Sequence, residues 1–96
     1  MTLEKLYRII CNRRKNMAYG SYIASLFREG EDRIIQKIGE ETTELVIAAK
    51  NNEKQRVVEE MADLWFHSLI LLAQKNIPVA DVWKELEKRN TTKRKR

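Results

Sequence analysis

The sequence predicts an all-α domain, a bundle of four to five helices completed by pairing with a second copy of the chain. Three observations carry that expectation. Apolar residues recur at helical spacing from residue 3 onward, and no stretch alternates β-branched and polar residues as a strand does. The two longest periodic stretches are separated only by Asn51-Asn52, and so short a break folds two helices into an antiparallel hairpin. Finally, residues 61–73 read MADLWFHSLILLA, apolar on nearly every face. A helix hydrophobic all round is buried, and 96 residues have little core to bury it in. An obligate homodimer is the natural cover.

The elements follow in order. Leu3, Leu6, Tyr7 and Ile10 keep the i, i+3, i+4, i+7 pattern, predicting a first helix over about 2–15, and 16–20 reads as a loop. Ser21 is placed to N-cap a short helix carrying Tyr22, Ile23, Leu26 and Phe27, which Gly30 ends. Asp32 is expected to cap a third helix over 33–50, with Ile34, Ile38, Leu45 and Ala49 as its buried stripe. Asn52-x-x-Gln55 resembles a capping box that opens a fourth helix reaching about 74. Asn76 and Pro78 separate it from a last helix over 79–89 that turns Val79, Val82, Trp83 and Leu86 inward. Residues 1–90 thus form one domain, and 91–96 a basic tail with no apolar anchor, read as disordered.

Composition narrows the setting. The single cysteine, Cys11, excludes an intrachain disulfide framework and suits a reducing cytoplasm. The charged N-terminus lacks the apolar core of a signal peptide, and the run 61–73 is too short for a bilayer, so no membrane role is expected. The net charge is +5, but Lys93-Arg94-Lys95-Arg96 supply four of those charges. Much of the excess thus lies at the two ends, in Arg13-Arg14-Lys15 and in this tail, and the internal helices carry mixed charge, which speaks against a nucleic-acid-binding helical dimer.

The chemistry lies in two acidic doublets, Glu41-x-x-Glu44 and Glu60-x-x-Asp63. Residues three apart share a helix face, so the hairpin can bring four carboxylates together. At about 4 Å and an effective dielectric near 20, each like-charge pair costs roughly 4 kcal/mol. Such a cluster must remain in water, take up protons or hold a cation. All-oxygen donors without a nearby cysteine favour Mg²⁺, with Mn²⁺ as a substitute. Acid pairs on helices are commonly solvated surface. Here Asp63 lies in the apolar run, with His67 one turn beyond it, and a charge there calls for a cation. Lys37 lies one turn before Glu41, as a neighbour of the metal site or as an ordinary i, i+4 ion pair. Glu40 adds a third carboxylate to that helix, as ligand, base or plain surface, and Gly39 inside a helix costs about 1 kcal/mol relative to alanine.

The pattern of these doublets, with fifteen residues between them, resembles that of the MazG-like all-α nucleotide pyrophosphohydrolases. Within that group, SYIASLFREGEDRIIQKIGEETTELVIAAKN (21–51), VVEEMADLWFHSLILLA (57–73) and DVWKELEKR (81–89) are similar to the phosphoribosyl-ATP pyrophosphohydrolase family, over about 18–89. The four-acid motif alone identifies only the superfamily, whereas SYxASLF, GEExTE and AAK together are more specific. Ile23 stands where relatives usually carry threonine, and the basic tail lies outside the pattern.

The resemblance implies hydrolysis of phosphoribosyl-ATP to phosphoribosyl-AMP and pyrophosphate, the second step of histidine biosynthesis, with Mg²⁺ and a homodimer whose helices share one bundle. It implies Glu41, Glu44, Glu60 and Asp63 as ligands, and Glu40 as an extra ligand or water-orienting base working beside Glu41. Lys37, Lys50, Arg28 and Arg33 are candidates for phosphate contact, and the Ser21-Tyr22 turn for an anion site. His67 is expected to hydrogen-bond behind the ligands rather than act as a base. In many organisms this domain is fused to the cyclohydrolase that acts next, so contact with that enzyme is a further expectation. The nearest alternative is a MazG-like enzyme cleaving a broader range of nucleoside triphosphates, which shares the acid motif. A helical interaction module with solvated acids is a second.

Overall fold

A computed structural model describes residues 1–17 and 19–92, without the side chains of 91 and 92. Among the described residues there are five helices and no strand: α1 Leu3–Asn16, α2 Tyr22–Glu29, α3 Glu31–Lys50, α4 Lys54–Gln74 and α5 Val79–Thr92. Residues 91 and 92 continue α5, and the rest of the expected basic tail lies outside the described residues.

Local chemistry sets most boundaries. The Thr2 hydroxyl caps α1 by accepting from the Lys5 N–H at 3.0 Å, and Met17 closes it in the left-handed region. Ser21 caps α2 as expected, accepting from the Ala24 N–H at 3.2 Å. Gly30 ends α2 and also opens α3, at φ 103° and ψ 176°, a conformation open essentially to glycine. Asp32 is therefore not the cap: it lies in the first turn of α3, where a carboxylate suits the positive end of the helix. The Asn52–Gln55 capping box does not form either. Asn52 takes the left-handed conformation at φ 56° to reverse the chain, and α4 starts from Glu53 with no side-chain cap.

The core is assembled from all five helices: Ile10, Leu26, Ile34, Leu69, Ile70, Ala73 and Val79. It occupies the first turns of α3 and the second half of α4. Arg14 fastens α1 to this end, donating to the Ala73 carbonyl and to Asn76 Oδ1 (2.9 Å) while lying over the Phe27 ring. The other half of the α3–α4 hairpin is barely covered: between residues 41 and 63 only Ala48 is buried. Ala48 thus replaces Ala49, which is exposed, on the expected stripe.

Helix α5 departs further from expectation. Among its described side chains only Val79 is buried, while Val82, Trp83 and Leu86 remain 41–50% exposed. The helix is tied at its near end, by the Tyr7 hydroxyl donating to the Ile77 carbonyl at 2.7 Å and by Trp83 Nε1 donating to the Glu4 carboxylate. Its apolar stripe lines an open groove of about 520 Å³ with Leu3, Trp65 and Leu72. No described helix is long and apolar enough to cross a membrane.

Candidate active site

From Ile38 to the end of α3, the only covered residues are Ile38, Glu41, Leu45 and Ala48, and on the facing stretch of α4 they include Val57, Glu60, Met61 and Leu64. Alternating steps of three and four residues keep one helix seam turned toward its partner. Glu41 and Glu60 therefore stand in the seam itself, at positions where a helical hairpin ordinarily puts an apolar side chain. Their side chains are 12% and 13% exposed. Asp63, three residues past Glu60, is exposed at the edge of the seam in this single chain, so the burial expected for it is not supplied by its own chain. Glu41, Glu60 and Asp63 each offer a carboxylate oxygen, all within 4.8 Å of one another.

The electrostatics of this trio are unbalanced. Glu60 Oε2 is sealed from water without a hydrogen-bond partner. Desolvation raises the Glu60 pKa, the Glu41 carboxylate beside it raises it further, and Arg56 only partly opposes them. An orphaned carboxylate oxygen facing two other carboxylates, in an all-oxygen donor set, fits a hard divalent cation. Glu44 is not drawn into this trio. Leu45 takes the seam position beyond Glu41, which leaves Glu44 on the open side, 3.4 Å from Arg56 Nη2. The same nitrogen lies 3.4 Å from Glu60 Oε1. Sequence reasoning missed Arg56. Its i, i+4 spacing to Glu60 was a signal, whereas its reach across the hairpin to Glu44 was not.

Cations border the trio on α3. Lys37 Nζ lies 3.4 Å from Glu40 and 3.5 Å from Glu41. Burial alone pushes its pKa down, but Tyr22, Glu40 and Glu41 outweigh it and hold the ammonium above its usual range. Arg33 sits 3.4 Å from Glu29 and 4.0 Å from Glu40, so Glu40 faces the cations rather than the trio.

Behind them, His67 is buried, and its two ring nitrogens are both engaged. Nδ1 lies 2.8 Å from the Asp63 carbonyl oxygen, and Nε2 lies 2.8 Å from the Tyr22 hydroxyl. Within the chain, His67 therefore bridges the Asp63 backbone and the Tyr22 hydroxyl. The Tyr22 ring is stacked on Phe66 with centroids 6.2 Å apart. Burial raises the phenol pKa, with Lys37 and Arg33 pulling down and Glu41 and Asp63 pushing up, so the phenol keeps its proton between the two charged groups.

The remaining expected residues are not gathered here. The Ser21 hydroxyl is spent on capping α2. Arg28 Nη1 donates to the Met17 carbonyl at 3.4 Å. Lys50 ends α3, roughly 13 Å along the axis from Glu41. The arrangement is thus an acid trio that demands a cation, flanked by a lysine, an arginine and a phenol. It suits a polyanion that arrives together with a divalent metal ion.

A sequence profile described as phosphoribosyl-ATP pyrophosphohydrolase matches residues 3–90. The chain is 50% identical over 88 residues to the phosphoribosyl-ATP pyrophosphatase of Bacillus mycoides, covering 92% of this chain and 82% of that protein. It is 48% identical over 88 residues to the protein of the same name from Clostridium acetobutylicum, covering 92% and 80%. With that of Methanocella arvoryzae it shares 47% identity over 89 residues, covering 91% and 94%.

Proposed function

Because the chain belongs to the phosphoribosyl-ATP pyrophosphohydrolase family, we propose that it hydrolyses phosphoribosyl-ATP to phosphoribosyl-AMP and pyrophosphate, the second step of histidine biosynthesis. The observation that carries this reading is the carboxylate trio with its orphaned Glu60 oxygen, set beside the charged Lys37.

Glu41, Glu60 and Asp63 would hold Mg²⁺, with Mn²⁺ as a substitute, and Glu44 would complete the set with its side chain turned away from Arg56. The metal supplies neutralisation of phosphoryl charge and acidity for a water molecule. The chain's own residues do the rest. Lys37 and Arg33 meet the phosphate oxygens and hold the triphosphate against the acid seam. Glu40, between those two cations, takes the proton of the attacking water as it adds across the anhydride, and Glu41 orients that water from the seam. Tyr22 contacts the nucleotide beyond the phosphates. Arg28, Lys50 and the Ser21 turn are assigned no contact within the single chain. In a homodimer the exposed apolar faces of α4 and α5 are covered by the second copy, and residues 1–90 act as one domain in the cytoplasm.

Pyrophosphate release from phosphoribosyl-ATP, ATP and deoxynucleoside triphosphates, with and without Mg²⁺, tests the reading. Metal-dependent release from phosphoribosyl-ATP, well ahead of the others, is expected. Equal cleavage of all the triphosphates would instead establish the broader MazG-like activity.

A further inference from the structure

We propose that His67 is a positioning residue that fixes the polarity of the Tyr22 phenol, so that Tyr22 presents the nucleotide with a hydrogen-bond acceptor. Tyr22 then selects a neutral donor on the substrate, a ribose hydroxyl or the exocyclic amine of the base, and leaves the phosphates to the cations. This rests on the reading of the site as a nucleotide-binding one.

A backbone oxygen sets the tautomer of His67. The Asp63 carbonyl can only accept, so the 2.8 Å contact to His67 Nδ1 puts a proton on Nδ1. A neutral imidazole carries one N–H, and Nε2 is left with a lone pair. The Tyr22 hydroxyl, 2.8 Å away, must then donate to Nε2. That spends the only proton of the phenol and leaves lone pairs on its oxygen. His67 is 4% exposed and Tyr22 is 49% exposed, so the inner partner is fixed and the outer one is accessible. The ring of Phe66 packs edge-on to His67 (5.2 Å, 83°) and stacks with Tyr22 (6.2 Å, 18°), which restrains both rings. A phenol oxygen without a free proton faces a phosphate oxygen as one acceptor to another, and that contact is unfavourable. Lys37 and Arg33 border the same phenol closely enough to act on its ionisation, and they carry the N–H donors a phosphate needs. The site is thereby divided into a phosphate side and a side that reads the nucleoside.

His67 is the only histidine of the chain, so its ring ¹⁵N resonances can be read without assignment by mutation. Near about pH 8, above the ordinary imidazole range, they are expected to show the Nδ1–H tautomer, and Tyr22→Phe is expected to shift the Nε2 resonance. Tyr22→Phe keeps the stacked ring and should raise KM for phosphoribosyl-ATP about tenfold, the size of one lost hydrogen bond, with kcat within about threefold. His67→Leu should reproduce that loss. His67→Gln, whose side-chain oxygen can take the place of Nε2, should recover most of it.

Calorimetric titrations with Mg²⁺ and ATP, 2′,3′-dideoxyATP, ITP or inorganic tripolyphosphate locate the donor. The Tyr22→Phe penalty should appear with ATP and be absent with tripolyphosphate. It should disappear with dideoxyATP if the donor is a ribose hydroxyl, or with ITP if it is the exocyclic amine. An Nε2–H tautomer, an equal penalty on tripolyphosphate, a penalty retained by both analogues, or no recovery in a folded His67→Gln overturns the proposal. Failure of the wild-type protein to turn over phosphoribosyl-ATP overturns the reading of the reaction alone, because the tautomer and the titrations require no turnover.

Discussion

A carboxylate oxygen shut away from water and from any donor, as at Glu60 Oε2, sets the behaviour of this site before any substrate arrives. With the folded pKa of Glu60 raised, chiefly by desolvation and then by Glu41, the folded state holds that proton more tightly than the unfolded chain. The stabilisation is therefore fully present below the ordinary glutamate value of 4.5 and is lost as pH rises through the higher folded value. As pH rises, the metal-free protein therefore takes on more of the repulsion among these carboxylates. Glu60→Gln is expected to raise the melting temperature of metal-free protein by several degrees at pH 7, to flatten its pH dependence above 4.5, and to remove most of the stabilisation given by millimolar Mg²⁺. Melting curves across pH, with and without the ion, check all three effects. Asp63→Asn tests the opposite side of the trio. Asp63 is exposed in the single chain and its carbonyl bond to His67 is untouched, so folding should be retained while pyrophosphate release falls at least about a hundredfold. Near-normal turnover at saturating Mg²⁺ would remove Asp63 from the ligand set.

The helix hairpin shows which parts of the protein were legible in its sequence. The doublets, the antiparallel pairing and the Ser21 cap could be read because each depends on neighbours within a few residues. That Glu41 and Glu60 occupy the seam while Glu44 does not depends on how the two helices are turned toward each other. The stripe that ends on Ala48 rather than Ala49 records that turn, and residue spacing within one helix leaves it open. Arg56 was missed for the same reason, since its contact with Glu44 spans the hairpin. The inward face assigned to α5 was right in periodicity and wrong in cover, because amphipathicity says which face is apolar and not whether the chain has anything to lay against it. Gly39 gives a test at this scale. A Cβ built there meets nothing within 4 Å, and the residue lies within α3, so Gly39→Ala should stabilise the chain by roughly 0.5–1 kcal/mol. Denaturant titration measures the gain. A simultaneous loss of turnover would show that substrate or a second chain approaches the backbone there.

At the scale of the molecule, the notable property is how much apolar surface one chain leaves in water. Val46, Ile47, Val58, Trp65, Val82, Trp83 and Leu86 are each 41–62% exposed, and a second hollow of about 350 Å³ between Val57, Val58, Met61, Ala62 and Trp65 lies next to the groove under α5. Patches on this scale mark interaction surfaces. The protein is therefore expected to sediment as a dimer at micromolar concentration and to melt at a temperature that rises with protein concentration. A monomer whose melting is independent of concentration would refute this.

Gly30 links α2 to α3 with no residue to spare, and this makes the site a pair of rigid arms meeting at one joint. Tyr22 is eight residues out along one arm and Lys37 seven along the other, or about 12 Å and 10 Å from the joint at 1.5 Å per residue. At that radius, a rotation of about 10° displaces the phenol by roughly 2 Å relative to the ammonium, which is enough to uncouple them. Angular tolerance at one peptide thus becomes positional tolerance between the group that reads the nucleoside and the group that holds the phosphates. Gly30→Ala has room for its methyl group but not the torsion, at φ 103°. It should therefore reduce substrate affinity far more than its cost in stability suggests, as titrations with nucleotide on the folded variant would reveal.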